Sequence, residues 1–229
     1  MRMKKSAKRN IISILAIILS LSVGILALEA VDVVNEALAN ISKFETVSLE
    51  LKVETGQGLG GTMVMSVKSH LKEEVGRLEF TSPKELAGQI IIVDKPKDQF
   101  INYYPTGQAV RMPLANAQAA GTGFDVSSLM ELNVANLDEL DLDRFVLGLD
   151  ETTLDGVPAY VISVMDTKNE VGLQKIWLRK ADKFPIYMES YDLGGNRIMT
   201  MTLDKVEINK GLDLASLRAL PKTAVIFDM

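Results

Sequence analysis

Few side chains in this sequence could carry out chemistry by themselves. His70 is the single histidine of the chain, and it stands beside Lys72, Glu73 and Glu74, which is typical of a solvated surface position. Without a second histidine or any cysteine, Ser-His-Asp and Cys-His catalytic arrangements and the usual zinc sites are excluded. The absence of cysteine also excludes disulfides and a lipid-modified N-terminal cysteine.

Acidic residues are plentiful, and a paired-carboxylate hydrolase is the enzyme class that they could support. The acids cluster at 73–74, 138–143 and 150–151, in runs or turns that are typical of a solvated surface. Residues 138–143 lack the glycine and the alternating ligands of a calcium loop. The glycine-rich stretch 56–61 lacks the Lys-Ser/Thr pair and the following helix of a phosphate loop. We therefore predict no enzyme, no metal and no cofactor, with a carboxylate hydrolase as the less favoured alternative.

The beginning of the chain has the form of an export signal. The first ten residues contain five Lys or Arg and no acid, and residues 11–28 are apolar apart from three serines. This pattern predicts a signal peptide over 1–28, with an uncleaved membrane anchor as the alternative, followed by a single domain over 29–229. Either form places the rest of the chain in the periplasm or another extracytoplasmic space.

Removal of the basic start makes the remaining chain strongly acidic. It leaves 20 Lys and Arg against 30 Asp and Glu, a net charge of about −10. Such a surface is soluble and does not bind nucleic acid, and we expect a monomer. Without disulfides, the domain must be held together by hydrophobic burial.

The clearest structural signal lies in residues 171–208, which predict three antiparallel strands joined by turns at 180–183 and 194–196. In the middle strand Met188 and Ser190 point one way, and Tyr187, Glu189 and Tyr191 point the other way. The sheet therefore has two different faces, and the contacts of its apolar face decide the function.

The other segments predict a helix over 29–43, ten or eleven antiparallel strands in all, and a helical insertion over about 114–143. A sheet of this length twists and curls. We predict a mainly β (α+β) fold, an incomplete and strongly curved antiparallel β-barrel. The N-terminal helix and the helical insertion would plug its concave face.

The order of several segments resembles the outer-membrane lipoprotein carrier and sorting family (LolA-like). These segments are LDGVPAYVI at 154–162, KIWL at 175–178, FPIYMESYD at 184–192, VEIN at 206–209, and the opening helix followed by FETVS at 44–48. The wider superfamily includes a periplasmic regulator of envelope-stress signalling and mycobacterial-type lipid carriers. The resemblance implies an incomplete barrel closed by helices, with an apolar cavity for acyl chains. The basic-aromatic strand of the family is matched only in part at 72–80, where Arg77 holds a basic position.

We therefore predict a non-enzymatic envelope carrier of lipid acyl chains, those of lipoproteins above all, with a membrane transporter or acceptor protein as a further partner. A lipid-sensing regulatory module that contacts a membrane signalling protein is the alternative. Methionines in same-face pairs favour an adaptable apolar site. The predicted lipid contacts are Leu49, Leu51, Met63, Met65, Ile92, Leu129, Met130, Trp177, Met188, Met199 and Met201.

Overall fold

The structure is a computed structural model that describes residues 28–56, 61–117, 145–166, 168 and 171–229. Apart from Leu28, the predicted signal peptide or anchor lies outside the described residues, as do the predicted lipid contacts Leu129 and Met130. Only the start of the predicted helical insertion is described.

The described elements follow the predicted order closely. The helices are α1 (Leu28–Ile41), α2 (Leu114–Ala117) and α3 (Leu214–Arg218), with a 3₁₀ turn at Lys95–Lys97. The strands are β1 (Thr46–Thr55), β2 (Thr62–His70), β3 (Val75–Ser82), β4 (Ile90–Asp94), β5 (Gln99–Tyr103), β6 (Gln108–Met112), β7 (Phe145–Leu154), β8 (Val157–Asp166), β9 (Val171–Arg179), β10 (Pro185–Tyr191), β11 (Arg197–Ile208) and β12 (Val225–Asp228).

The strands form one open, twelve-stranded sheet in the order β12-β6-β5-β4-β3-β2-β1-β11-β10-β9-β8-β7. The predicted mainly β fold with an unclosed sheet and an N-terminal helix is confirmed. The predicted count of ten or eleven strands was too low. The predicted antiparallel sheet is observed, and one pair departs from it, because β12 runs parallel to β6.

Turn chemistry explains why the hairpins form where they do. Between β7 and β8, Asp155 and Gly156 both have positive φ, 49° and 83°. Two consecutive positive φ values are the signature of a two-residue hairpin turn whose twist matches that of the strands. Between β10 and β11, the Asp192 carboxylate accepts hydrogen bonds from the backbone N–H groups of Gly194 and Asn196. The second of these turns was predicted from the sequence at 194–196.

The chain is divided into two compact units. The first unit consists of the described residues up to Lys43 and of those within the ranges Glu54–Gly61 and Val126–Thr202. The second unit consists of the described residues within the ranges Phe44–Val53, Thr62–Asp125 and Leu203–Met229. The single domain predicted over 29–229 stays a prediction.

In the first unit, α1 packs against β7 through one apolar stripe. Ala30, Val34, Ala37 and Ile41 recur at helical spacing and are all buried. At the end of the helix, the Asn40 side-chain amide donates to the carbonyl of Asp182, 3.2 Å away, in the turn before β10. The helix is thus fixed to the sheet by burial along its length and by a polar contact at its end.

In the second unit, the C-terminal segment covers one face of the sheet. Asp213 caps α3 by accepting from the N–H groups of Ala215 and Ser216, which satisfies donors that the helix leaves free. Leu217 is fully buried. Beyond the helix, Leu220 and Ala224 pack against a cluster formed by Ile90, Ile92, Ile101, Tyr103 and Ala109.

A buried ion pair fixes this segment in place. Arg218 binds the Asp94 carboxylate with two hydrogen bonds of 2.6 and 3.0 Å, and the Asp94 side chain is only 2% exposed. The hydrogen bond from Arg218 lowers the pKa of Asp94 below its ordinary value of 3.8. A charge of this kind is stable in the interior only while its partner is present.

Replacing Arg218 with alanine is expected to lower the free energy of unfolding by about 3 kcal/mol at neutral pH, since it leaves the Asp94 charge buried without its main partner. Because the pKa of Asp94 is lowered in the folded state, the ion pair stabilises the protein above pH 3.8 and stops doing so as the pH falls below that value. Chemical denaturation of the wild type and of R218A, at neutral pH and well below pH 3.8, measures both effects.

The matched control is R111A, because Arg111 also makes a two-bond pair, with Asp228, but both side chains are solvent-accessible, 36% and 68% exposed. This variant is expected to lose much less stability than R218A, because solvent screens an exposed pair. Equal losses in the two variants, or a loss in R218A that persists in acid, would contradict the assignment.

Candidate functional site

The apolar face of the predicted three-strand region is extended by two further strands. Leu149, Ile162, Ile176, Met188 and Met201 are successive register partners across β7 to β11. Directly paired residues of antiparallel strands point to the same side of the sheet, so these five side chains form one apolar row.

A second row runs beside the first on the same face. Its members are Leu147, Val164, Gln174, Ser190 and Met199. The row changes from aliphatic to polar along its length, and then ends on a methionine.

We call the part of this surface formed by Met188, Met199, Met201, Gln174 and Ser190 the methionine face. Met188 is buried, and the other four are half-buried. The Gln174 side-chain amide donates to the Met188 sulfur at 2.9 Å. Three flexible thioethers and two polar groups can adapt to an apolar chain of variable shape. Ser190 carries the one hydroxyl among these five side chains, and none of the five is a general base that could activate it.

The β7–β8 end of the same face is covered by α1. Lys183 lies over the ring of Tyr160, 4.9 Å from its centroid, and also lies 3.6 Å from the carboxylate of Glu36 on α1. Tyr160 pairs with Leu178 and therefore points to the same side as Ile176. The helix thus packs on this side of the sheet, and its coverage explains why Ile162 and Ile176 are almost completely buried.

The opposite face of β9 to β11 is polar and aromatic, and we call it the tyrosine face. Glu189 accepts hydrogen bonds from the hydroxyl of Tyr187 at 3.1 Å, from the hydroxyl of Tyr191, and from Arg197 at 2.9 Å. Trp177 packs edge-on against Tyr187, with ring centroids 4.9 Å apart. The structure therefore places Trp177 on the side opposite to the methionines with which it was predicted to act.

Burial and hydrogen bonding both perturb the groups of this cluster. Burial, together with the hydrogen bond to Glu189, raises the pKa of Tyr191 to about 12. Burial also raises the pKa of Tyr187, with a smaller effect of its hydrogen bond to Glu189. Burial alone would raise the pKa of Glu189, but the three hydrogen bonds that it accepts have the larger combined effect. Its pKa is therefore lowered, and the carboxylate stays charged. All three donors are directed at one carboxylate, which is typical of a structural network.

The other predicted contacts that the structure describes lie in the second unit. Met65 and Leu51 are buried there, and Leu49 and Met63 are half-buried. Ile92 is also buried but pairs with Arg77 and Ile101, and its side chain belongs to the cluster covered by the C-terminal segment. It does not share a face with Met65, which is aligned through Phe80 with the other side of the sheet.

A buried polar chain in the second unit was missed by the sequence reasoning. The Gln89 side-chain amide donates to the side-chain carbonyl of Asn102 at 2.8 Å, and the Asn102 amide donates to the hydroxyl of Tyr104 at 2.9 Å. The signal in the sequence is one asparagine in the otherwise apolar segment Phe100–Tyr103 of β5. Buried polar side chains of this kind cost free energy unless they are hydrogen-bonded.

Neither a metal site nor a membrane span is found in the described part of the chain. Within it, no three His, Cys, Asp or Glu side chains come together as possible metal ligands. No helix among the same residues combines the length and the apolar composition needed to cross a membrane. The ring nitrogen Nδ1 of His70 accepts a 3.4 Å hydrogen bond from the backbone N–H of Glu73, which is a local turn contact.

Solved structures match this arrangement of strands. An uncharacterized conserved protein from Thermus thermophilus matches with a TM-score of 0.60 at 16% identity, over 88% of this chain and 99% of that one. The Pseudomonas aeruginosa MucA/MucB complex matches with a TM-score of 0.54 at 14% identity, over 83% of this chain. The chain shares their fold. It spans about 61% of the matched chain of that complex.

A LolA superfamily protein from Nitrosomonas europaea also matches, with a TM-score of 0.37 at 12% identity, over 76% of this chain and 90% of that one. No family model and no curated protein matches the sequence. The likeness is therefore one of fold.

Replacing Glu189 with glutamine is expected to move the pKa of Tyr191 from about 12 down towards its ordinary value of 10, because the negative charge disappears while the burial remains. The pKa of Tyr191 is higher in the folded protein than in the unfolded chain, so the protonated hydroxyl contributes to stability fully below pH 10. This contribution is lost as the pH rises towards 12. The wild type should therefore lose stability in that interval, and E189Q should lose less there.

Ultraviolet absorbance of tyrosinate during an alkaline titration measures the pKa, and Y191F identifies which transition belongs to Tyr191. An unchanged titration of Tyr191 in E189Q would show that Glu189 does not control it.

Proposed function

We propose that this protein is a non-enzymatic, extracytoplasmic carrier that holds acyl chains against the methionine face and passes them between membrane partners. The observation that carries the proposal is the apolar row from Leu149 to Met201, which ends in the buried Met188 and the half-buried Met201. The fold shared with the matched proteins and the sequence resemblance to lipoprotein carriers support it.

The energetics favour this use of the surface. Each CH₂ group moved from water to an apolar site contributes about 0.8 kcal/mol, so a long acyl chain binds strongly without any specific polar contact. Methionine has three rotatable side-chain bonds and can fit acyl chains of different length or branching. A carrier needs such tolerance because it must accept the chain and later release it.

Two carboxylates of the first unit support a non-enzymatic role. Glu189 is held by three donors, and Asp182 accepts two hydrogen bonds from Arg179 and one from the N–H of Phe184. Acids held in this way are already charged and saturated, which does not suit a general acid. We therefore do not propose a paired-carboxylate hydrolase.

The location and the partners rest on the sequence. A basic start followed by an apolar run supports export, and the acidic mature chain supports a soluble monomer in the periplasm or an equivalent space. Lipoprotein acyl chains are the proposed cargo, and a membrane transporter or acceptor protein is the proposed partner. Leu49, Leu51, Met63 and Met65 of the second unit stay predicted lipid contacts.

A lipid-sensing regulatory module is the second candidate function. The match to the MucA/MucB complex favours it, because that structure holds a protein partner on a chain of the same fold. Affinity capture from a membrane extract distinguishes the two candidates. Specific recovery of a membrane signalling protein would favour the regulator, whereas recovery of lipoproteins alone would favour the carrier.

Charged substitutions on the methionine face are expected to weaken lipid binding at least tenfold. M199D and M201D would each place a carboxylate where we propose the acyl chain lies, and burial of an unpaired charge is strongly unfavourable. T202D is the matched control, because Thr202 is the next residue of β11 and pairs with Tyr187 on the opposite face. Displacement of a fluorescent fatty acid measures the affinity.

Mass spectrometry of the solvent extract from the purified protein gives an independent test. We expect co-purified lipid in the wild type and in T202D, and little in M201D. A protein that is consistently empty and displaces no hydrophobic dye would contradict the proposed function, as would equal binding by all the variants.

A further inference from the structure

The C-terminal strand of the second unit, β12, is both apolar and exposed. Val225, Ile226 and Phe227 are solvent-accessible, and so is Met229 directly after the strand. One side of β12 pairs with β6, and no described strand pairs with its outer edge. Proteins usually protect such an edge with lysine, proline or a bulge, because its free backbone groups recruit other strands. None of these occurs within Val225–Asp228.

The hydrogen bonds to β6 show which backbone groups of β12 face outward. The N–H groups of Val225 and Met229 each donate to a carbonyl of the segment that holds β6, at 2.9 Å. Backbone groups alternate in direction along a strand, so those of every second residue from Val225 point towards β6. The N–H and C=O groups of Ile226 and Asp228 therefore point to the open edge.

These four outward groups are complementary to a second copy of themselves. When two β12 strands run antiparallel about a two-fold axis at Phe227, Ile226 of each copy lies opposite Asp228 of the other. Each such pair exchanges two N–H···O=C bonds, so the symmetric arrangement satisfies every outward group. An axis at Ile226 would also need the N–H of Ala224, which already donates to the carbonyl of Pro221.

The side chains match in the same register. Phe227 lies opposite its own copy in a non-hydrogen-bonded pair, where side chains are closest, and Val225 lies opposite Met229. These residues alternate with Ile226 and share the face of Val110, the register partner of Phe227 on β6. The pairing therefore brings exposed aromatic and aliphatic groups together and removes them from water.

The charge at this edge is balanced, although the chain as a whole is acidic. Arg111 neutralises Asp228 through two hydrogen bonds of 2.6 and 2.9 Å, so the two edges do not repel each other locally. The net charge still opposes association, and a joint of one short strand is small. We therefore expect the predicted monomer in dilute solution and association only at high concentration.

We propose that two copies of this chain associate by antiparallel pairing of their β12 strands about a two-fold axis at Phe227. Two-fold pairing uses the same surface on both copies and closes on itself, so through this strand it gives a dimer and not a fibre. The inference goes beyond the proposed function and does not depend on lipid binding.

Single cysteine substitutions test the register, because the natural chain has no cysteine. F227C is expected to form a disulfide between copies under mild oxidation, since the two Cα atoms would lie about 4.5 Å apart. I226C is the matched control, because its two copies would lie about 8 Å apart, too far for a disulfide. V225C is a second control on the same face as Phe227, and Val225 is the more exposed of the two, 56% against 50%.

Non-reducing electrophoresis measures the rate of crosslinking. We expect the two controls to crosslink at least tenfold more slowly than F227C. The double variant V225C/M229C should crosslink as F227C does, although V225C and M229C should not do so singly.

Sedimentation equilibrium of the purified protein over a range of concentrations tests the pairing in solution. The wild type should form a dimer that dissociates on dilution. I226P should stay monomeric, because proline lacks the outward N–H group and leaves the bonds to β6 in place. I226A keeps that N–H group and should still dimerise, and both variants should bind lipid as the wild type does.

A wild type that stays monomeric over the whole range would overturn this proposal, and so would a dimer that persists in I226P. Crosslinking of I226C or V225C as fast as that of F227C would also overturn it. Failure of the wild type and of all these variants to bind lipid would contradict the proposed function alone and leave this inference intact.

Discussion

The strand register of β10 is the constraint on which the candidate site depends. It places Met188 between Ile176 and Met201, and it places Glu189 between Lys175 and Thr200. Side chains alternate along a strand, so a slip of one residue would exchange the two faces and expose the methionines on the polar side. The identity of the site is therefore a consequence of pairing and not of any single side chain.

The tyrosine face stabilises that register. Glu189 collects donors from its own strand, Tyr187 and Tyr191, and from Arg197 on the neighbouring strand. A shifted pairing would separate Arg197 from the carboxylate and leave a largely buried charge short of one donor, which is unfavourable. Because the tyrosine face fixes the strand register, the methionine face can consist of flexible side chains that do not themselves determine the register.

Which side chains of one strand share a face could be predicted from the sequence, because the alternation along a strand depends only on neighbouring residues. The faces of β10 were predicted from this signal, and the turn at 194–196 from its glycines and asparagine, which are also local. It is harder to predict which residues of neighbouring strands share a face, because this depends on bulges such as the register shift between Pro185 and Tyr187. The sequence therefore did not show that Trp177 and the methionines lie on opposite faces.

Two other differences have similar physical causes. Ile92 lies in a run of aliphatic residues that is buried on both faces of the sheet, and such a run carries no alternation from which its direction could be predicted. The parallel pairing of β12 with β6 joins segments more than a hundred residues apart, and no local pattern identifies such a partner.

Photo-crosslinking with a fatty acid that carries a diazirine near its terminal methyl group would show directly whether acyl chains lie on the methionine face. Peptide mass spectrometry would then locate the label residue by residue. We expect labelling at Met188, Met199 and Met201, with Tyr187, Tyr191 and Arg197 unlabelled although they lie on the same two strands. Labelling of the tyrosine face, or equal labelling of both faces, would contradict it.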